Sequence, residues 1–177
     1  MALTIYKNRG NDTMGYIKLD EYFTKQQMLD TNILQTKRLV LHDAITTKKL
    51  IAFKQEFGEL LQRLPEVFKF WSNKQNALDY DTVEEWVDGF HFLLSIGLDK
   101  GYNKHVTVIE TGNYDDLTLQ ELTLEMYMGE VDTLEDYLTL FEMYLTFIYK
   151  LGFGNEAIRQ AYDNKNAENF KRQATGY

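Results

Sequence analysis

Hydrophobic side chains recur every three to four residues over most of the chain, which is the spacing of one face of an α-helix. The clearest stripe ends at Pro65, a residue that stops helices, and consists of Leu50, Phe53, Phe57, Leu60 and Leu64. The pattern predicts helices over residues 20–34, 37–64, 82–98, 119–128, 134–151 and 155–173. A short aromatic segment, residues 67–71, lies between the second and third of these helices.

Residues that favour helix N-termini precede three of the predicted helices. Asp81 is followed three residues later by Glu84, as in a capping box. Thr118 and Thr133 stand in the same place before the next two helices, and Asp136 is the third residue after Thr133. These residues predict where the three helices begin.

Two stretches lack the helical pattern. Residues 1–18 are rich in Asn and Gly, so we expect a loose arm or a short strand at residues 3–6. Residues 99–116 are polar and contain glycine, with a β-branched stretch at residues 106–109, and we expect a loop excursion there. Because no linker or repeat interrupts the chain, we predict a single all-helical domain over residues 1–177.

The composition agrees with an all-α fold. The chain has 177 residues, of which 44% are hydrophobic and 14% aromatic, enough for a substantial core. It contains one proline and 11 glycines, so few positions oppose helix formation.

Charge and cysteine content exclude several classes of protein. The net charge of −8 argues against a nonspecific nucleic-acid binder, which needs a basic surface. A polyanionic small molecule would need metal ions or a local basic patch. The segment 159–177 provides such a patch, with four basic and two acidic residues. Since cysteine is absent, there are no disulfides or thiolate metal sites.

The chain shows no sign of a membrane segment. Its N-terminus lacks the apolar stretch of a signal peptide. The most apolar run, residues 90–98, is far too short to span a bilayer. We therefore predict a cytoplasmic protein that does not contact membranes.

The most informative candidates for chemistry are two pairs of carboxylates. Glu56 and Glu59 are three residues apart in one predicted helix, and Glu85 and Asp88 are three apart in another. This spacing places both members of a pair on one face, where like charges destabilise the helix unless a cation lies between them. Mg²⁺ binds carboxylates and bridges them to phosphates. Two facing pairs would form a polyphosphate site; solvated helix faces are the alternative.

Further candidates lie in the first helix and in the aromatic segment. Gln26 lies in an apolar stripe one turn before Asp30, and its amide could match the O4 and N3–H edge of uracil. Lys69 stands among aromatic residues, including Trp71, and could contact phosphate while the rings stack on a base. Taken alone, the aromatic segment is explained more simply as a hydrophobic corner with an exposed lysine.

Four more polar residues follow in later helices. His91 lies one turn after Asp88, where a core histidine and a contact to a sugar or base are both open. Lys165, Asn169 and Arg172 share one face of the last helix. They could close over phosphates and read a base edge, or form a solvated helix end.

Five short segments occur in a recognisable order. They are QQMLD at 26–30, EFGEL at 56–60, FKFW at 68–71, EWVD at 85–88 and KNAENFKRQATGY at 165–177. Together they resemble the dimeric all-α dUTP diphosphatases, a branch of the MazG-like nucleotide pyrophosphohydrolases. The resemblance runs from Tyr22 to Tyr177, with either Gln26 or Gln27 as the family's glutamine.

The resemblance implies a homodimer that hydrolyses dUTP, with a site that borrows residues from the partner subunit. It implies Mg²⁺ ligands at Glu56, Glu59, Glu85 and Asp88. It further implies phosphate contacts from Lys69, Lys165 and Arg172, and base or sugar contacts from Gln26, Asp30, Trp71, His91 and Asn169.

The reaction expected from this resemblance gives dUMP and pyrophosphate. We expect Glu59 to orient or deprotonate the attacking water, with Glu56 as the alternative. Two other functions stay open. A related enzyme could prefer another nucleotide such as dCTP, because carboxylates contact phosphates and not bases. A helical regulatory protein that binds a repressor is the second, and a regulatory partner is compatible with the enzyme too.

Overall fold

The structure, a computed structural model, describes residues 15–175 apart from the side chain of Asp43. Helices dominate this part of the chain, as the sequence predicts, and one two-stranded sheet accompanies them. The strands are β1 (Tyr16–Lys18) and β2 (Val108–Glu110). The helices are α1 (Asp20–Lys37), α2 (Asp43–Arg63), α3 (Pro65–Phe68), α4 (Tyr80–Asp99), α5 (Leu119–Met128), α6 (Leu134–Lys150) and α7 (Asn155–Ala174), with a 3₁₀ turn at Tyr102–Lys104.

The central element is α4, which packs against α1, α2, α6 and α7. Aromatic rings join it to α6 at its N-terminal half, where Trp86 stacks on Tyr144 with 4.8 Å between ring centroids. The indole N–H of Trp86 donates to the Tyr144 carbonyl at 3.0 Å, and the Tyr144 hydroxyl donates to the Trp86 carbonyl at 2.7 Å. This reciprocal pair of hydrogen bonds fixes the rotation of α4 about its axis. It therefore also fixes the direction of the helix face that carries Glu85 and Asp88.

The apolar stripe predicted for the second helix is buried. Phe53 and Phe57 are fully buried, and both lie edge-on to Tyr144. Because α2 and α4 thus pack on the same aromatic centre, the carboxylates beside that stripe face those of α4.

The small sheet corrects the expectations for residues 1–18 and 99–116. Residues 16–18 pair antiparallel with residues 108–110, with Ile17 opposite Ile109. Both isoleucines are buried and their strand neighbours are exposed. Three-residue strands are too short for an alternating pattern to identify. The expected strand at residues 3–6 lies outside the described residues.

The first two helices differ from the prediction at their junction. The first helix continues to Lys37 and ends at Arg38, which has a left-handed backbone with φ 52°. The Leu39 amide closes the helix by donating to the Leu34 carbonyl at 2.9 Å. The second helix therefore begins at Asp43 and not at residue 37. An arginine at a position that usually holds glycine gives no sequence signal.

Two of the predicted N-caps are confirmed and one is wrong. Thr118 and Thr133 each form a complete capping box. At the start of α4 the cap is Asp79, whose carboxylate accepts from the Thr82 amide at 3.1 Å. Asp79 is also held by Arg63 at 2.7 Å, whereas Asp81 is exposed and lies 3.5 Å from the same arginine.

Helix-interior glycines beside the carboxylates give a test of this packing. A Cβ at Gly89 would overlap the Tyr144 hydroxyl, which is buried and bonded to the Trp86 carbonyl. We expect Gly89→Ala to lower the free energy of unfolding by about 1–3 kcal/mol, as overpacking does. The measurement is urea unfolding followed by circular dichroism.

Gly58 is the matched control. A Cβ there would meet only the Tyr127 hydroxyl at 3.3 Å, at the end of a partly exposed side chain that can move. Gly58→Ala should be neutral or stabilising by up to about 1 kcal/mol through helix propensity. Equal losses in the two variants would contradict close approach at Gly89.

Candidate active site

Packing of α2 on α4 brings three of the four predicted carboxylates together. Oxygen atoms of Glu56, Glu59 and Glu85 all lie within 4.8 Å of one another. Glu59 is exposed, whereas Glu56 and Glu85 are partly buried. Three members of the two pairs predicted from helical spacing therefore meet across the helix interface.

The fourth carboxylate, Asp88, is engaged by the last helix. Its Oδ2 lies 2.7 Å from the Nζ of Lys165, and both side chains are mostly buried. Hence Lys165, predicted to contact phosphate, occupies the side of the cluster nearest α7. The ion pair provides the positive charge that neighbouring carboxylates require.

The electrostatics of the cluster oppose full ionisation. Burial, followed by repulsion from Asp88, Glu59 and Glu85, raises the pKa of Glu56 to about 7. Burial and Asp88 also raise the pKa of Glu85. The pKa of Asp88 is raised by burial even though Lys165 opposes the shift. The fold thus holds carboxylates where their negative charge is poorly compensated.

This arrangement fits a hard divalent cation. The donors are all carboxylate oxygens and they converge from two helices. The raised pKa values of Glu56 and Glu85 indicate that a further positive charge would be favourable there. Glu56, Glu59 and Glu85 are placed to hold such an ion, with Asp88 beside them.

A cavity of about 410 Å³ adjoins the cluster. The lining includes eight of the residues singled out from the sequence: Gln26, Asp30, Glu56, Asp88, His91, Lys165, Asn169 and Arg172. They come from α1, α2, α4 and α7, so helices remote in sequence supply the walls. Apolar residues of α1 and the following turn, among them Leu29, Ile33 and Leu39, complete the lining.

Gln26 is used differently from what the sequence suggests. Its Oε1 lies 2.7 Å from Nδ1 of His91 and also accepts from the Tyr162 hydroxyl at 3.2 Å. Its Nε2 donates to Asp30 Oδ1 at 2.8 Å. Because that oxygen already faces His91 and shares the Tyr162 hydroxyl proton with the Tyr22 carbonyl, Gln26 is not free to donate to and accept from a uracil edge in this arrangement.

Lys69 and Trp71 do not line the cavity. Lys69 donates to Gln62 at 3.2 Å and its Nζ lies 5.0 Å from the centre of the Phe68 ring. Trp71 is 67% exposed and packs edge-on against Phe70, which is 95% exposed. Within one chain these two predicted residues are therefore not part of the cavity lining.

Three cavity or near-cavity residues were not predicted. Lys49 and Ser95 line the cavity, and Asp99 binds Lys49 at 2.7 Å. A signal was present, since Lys49 precedes Glu56 by seven residues and Ser95 follows Asp88 by seven. Seven residues are close to two helical turns, which places such residues on one face.

A second depression lies on the outer side of the cluster. This groove, of about 520 Å³, is lined by Glu59 and Glu85 and also by Arg63 and Lys74. Glu56 and Asp88 face the cavity instead, so the carboxylates stand between the two spaces.

Comparison with known proteins identifies the family. A family model described as dUTPase matches residues 18–177, nearly the whole chain. The chain belongs to the dUTPase family. It is thus an enzyme that hydrolyses dUTP, and the resemblance of its motifs to the all-α dUTP diphosphatases is confirmed.

The dUTPase family is generally metal-dependent, in agreement with the carboxylate cluster. No curated protein matches the chain in a sequence comparison. Within residues 15–175, no helix combines the length and apolar character needed to cross a bilayer.

The raised pKa of Glu56 gives a prediction about stability. A carboxyl with an ordinary pKa of 4.5 when unfolded and about 7 when folded stabilises the fold below pH 4.5. That contribution is lost as the pH rises through 7. Glu56→Gln should therefore raise the melting temperature of the metal-free protein at pH 8 and not at pH 4. Solvent screening at this half-buried group limits the gain to about 1 kcal/mol, or roughly 2–4 °C.

The control for this measurement is Glu130→Gln, which changes an exposed carboxylate between α5 and α6. Its melting temperature should follow that of the wild type at both pH values. If Glu56→Gln gave no gain at pH 8, crowding of charge at the cluster would be refuted.

Proposed function

We propose that this dUTPase hydrolyses dUTP to dUMP and pyrophosphate with Mg²⁺ as its metal ion. The observation that carries the proposal is the convergence of Glu56, Glu59 and Glu85 between a cavity and an open groove. A nucleoside triphosphate is divided in the same way, because its nucleoside is uncharged and could enter the cavity while its triphosphate is polyanionic and could extend toward the groove.

The nucleoside would occupy the cavity. Its volume of about 410 Å³ falls within the usual range for small-molecule sites. The phosphates would then cross the carboxylates toward the groove, where Arg63 and Lys74 lie. Lys165, Arg172 and Asn169 line the cavity and belong to one helix, so α7 can contact phosphates and nucleoside together.

Glu56, Glu59, Glu85 and Asp88 would hold the metal. When bound, Mg²⁺ offsets phosphate charge and lowers the pKa of coordinated water. Asp88 is paired with Lys165 in the structure. We expect that pair to loosen when Asp88 becomes a ligand, which would leave the lysine ammonium to stabilise charge on the phosphates.

Glu59 and Glu56 are the candidates to position the attacking water. Glu59 is exposed and lines the open groove, which water enters from bulk solvent. Glu56 lines the cavity and would lie nearer the nucleoside end of the substrate. This difference supports Glu59 as the residue that orients or deprotonates water, with Glu56 as its alternative.

A homodimer would explain the position of Lys69 and Trp71. The segment that contains them presents Phe68, Phe70 and Trp71 to solvent within one chain. Clustered exposed aromatic residues are typical of protein interfaces. We therefore propose that a second copy covers this segment, and that Lys69 and Trp71 reach the site of that copy.

Substrate preference provides the first test. Purified protein should hydrolyse dUTP in preference to dCTP and the other dNTPs, give dUMP and pyrophosphate, and lose activity with EDTA until Mg²⁺ is restored. Preference for dCTP would instead identify a related pyrophosphohydrolase. Absence of nucleotide and Mg²⁺ binding by calorimetry would favour a regulatory protein, for example one that binds a repressor.

Mixing an inactive variant with a weakened one tests the dimer. Glu59→Gln should abolish turnover through loss of water positioning, and Trp71→Ala should weaken it through loss of a substrate contact. If Trp71 acts in the partner's site, each mixed dimer has one site with both native residues. Random exchange then restores about a quarter of wild-type activity.

The control is a mixture of Glu59→Gln with Glu85→Gln, which affect the same site of one chain and should restore nothing. No recovery with Trp71→Ala would show that Trp71 acts within its own chain. Light scattering on each variant verifies the dimer independently.

A further inference from the structure

A chain of mostly buried polar contacts runs along the cavity wall and ends at His91. Asp99 binds Lys49 at 2.7 Å, and the Nζ of Lys49 lies 3.7 Å from Asp30 Oδ2. Asp30 accepts from Gln26 Nε2 at 2.8 Å, and Gln26 Oε1 lies 2.7 Å from His91 Nδ1. We call this series of contacts the histidine relay.

The direction of every bond in the relay follows from Asp30. Its carboxylate accepts from Gln26 and from the Ser95 hydroxyl, with the Lys49 ammonium nearby. An ionised carboxylate can only accept, so the Gln26 amide must turn its N–H toward Asp30 and its oxygen toward His91. A carbonyl oxygen also only accepts. The proton of His91 must then lie on Nδ1.

The other ring nitrogen is left as an acceptor without a donor. His91 is 6% exposed, and its Nε2 has no hydrogen-bond partner among the described residues. Burial, followed by the charge of Lys165, lowers the pKa of His91 to about 3, so the ring is neutral. Tyr162 stacks on the ring with 4.3 Å between centroids and fixes its plane. An unsatisfied buried acceptor in a cavity wall calls for a ligand donor.

We propose that the relay makes Nε2 of His91 an obligate acceptor that selects a ligand donating a hydrogen bond, and that Asp30 is a positioning residue. Asp30 then acts through Gln26 and His91 and does not itself contact substrate. This inference rests on the proposed function for the identity of the ligand, a deoxyuridine nucleotide.

That ligand offers two donors of this kind, the N3–H of the base and the 3′-hydroxyl of the sugar. Cytosine has an acceptor at N3, so contact with the base would reject dCTP. Contact with the sugar would instead leave the base unread at this nitrogen. The chemistry required at His91 is the same in both cases.

The tautomer of His91 tests the relay directly. In protein labelled with ¹⁵N-histidine, the His91 nitrogens should show a proton on Nδ1 and none on Nε2, with the assignment made from His91→Gln. Asp30→Asn should yield a mixture of tautomers, because an asparagine can donate or accept and lets Gln26 turn over. A proton on Nε2 in the wild type, or an unchanged tautomer in Asp30→Asn, would overturn the proposal.

Asp163→Asn is the matched control. It makes the same substitution in another interhelical ion pair, between Asp163 on α7 and Lys25 on α1 at 2.7 Å. That pair does not contact the relay atoms, so the His91 tautomer should not change. If Asp30→Asn fails to fold, the wild-type tautomer still decides whether the relay is oriented as proposed.

Substrate analogues identify the donor. N3-methyl-dUTP removes the base N–H, and 2′,3′-dideoxyuridine triphosphate removes the hydroxyl. With the wild type, one of these analogues should have a KM about ten times that of dUTP, which corresponds to a loss of about 1.4 kcal/mol in binding free energy. With Asp30→Asn, the same analogue should raise the KM much less. Equal KM changes in both proteins would refute selection by His91.

The relay and the proposed function can fail separately. If the wild type does not act on dUTP, the proposed function fails while the tautomer measurement still tests the relay. If dUTP is hydrolysed normally and the tautomer is not locked, only the further inference is refuted.

Discussion

The packing of α2 against α4 is the constraint on which the site depends. Phe53 and Phe57 from one helix and Trp86 from the other meet around Tyr144, and this apolar contact determines the rotation of both helices. Carboxylate oxygens of Glu56, Glu59 and Glu85 are thereby brought within 4.8 Å of one another. Hydrophobic burial thus maintains a concentration of negative charge that the carboxylates alone would oppose, and a bound cation would relieve it.

The last helix gives this acidic chain its local positive charge. Lys165 pairs with Asp88, and Arg172 lines the same cavity two turns further along α7. The ammonium group of Lys165 therefore lies beside the carboxylates of the site, where a positive charge is favourable. Binding of a metal ion and a triphosphate together would give Asp88 and Lys165 new partners of opposite charge. The net charge of the site would change little, so metal binding and phosphate binding would be linked.

Residues on long helices could be predicted from the sequence, because helical spacing alone decides which side chains share a face. Glu56 with Glu59, and Lys165 with Arg172, are examples. The orientation of the Gln26 amide and the ion pair of Asp88 depend on residues of other helices. The hydrophobic pattern of a single helix does not reveal those neighbours. The strand at residues 16–18 was not predicted, because its partner strand lies about ninety residues away in the sequence. The sequence motif predicts a substrate contact for Trp71, yet its side chain is exposed in one chain. Such exposure is expected of a residue that a second copy would cover.

The central claim is that the four carboxylates and α7 close together around the triphosphate. A crystal structure with Mg²⁺ and a nonhydrolysable dUTP analogue tests it most directly. We predict metal bound by Glu56, Glu59, Glu85 and Asp88, the base in the cavity, and Lys165 moved from Asp88 to a phosphate oxygen. An unchanged Lys165–Asp88 pair, with the triphosphate bound away from these carboxylates, would contradict the account.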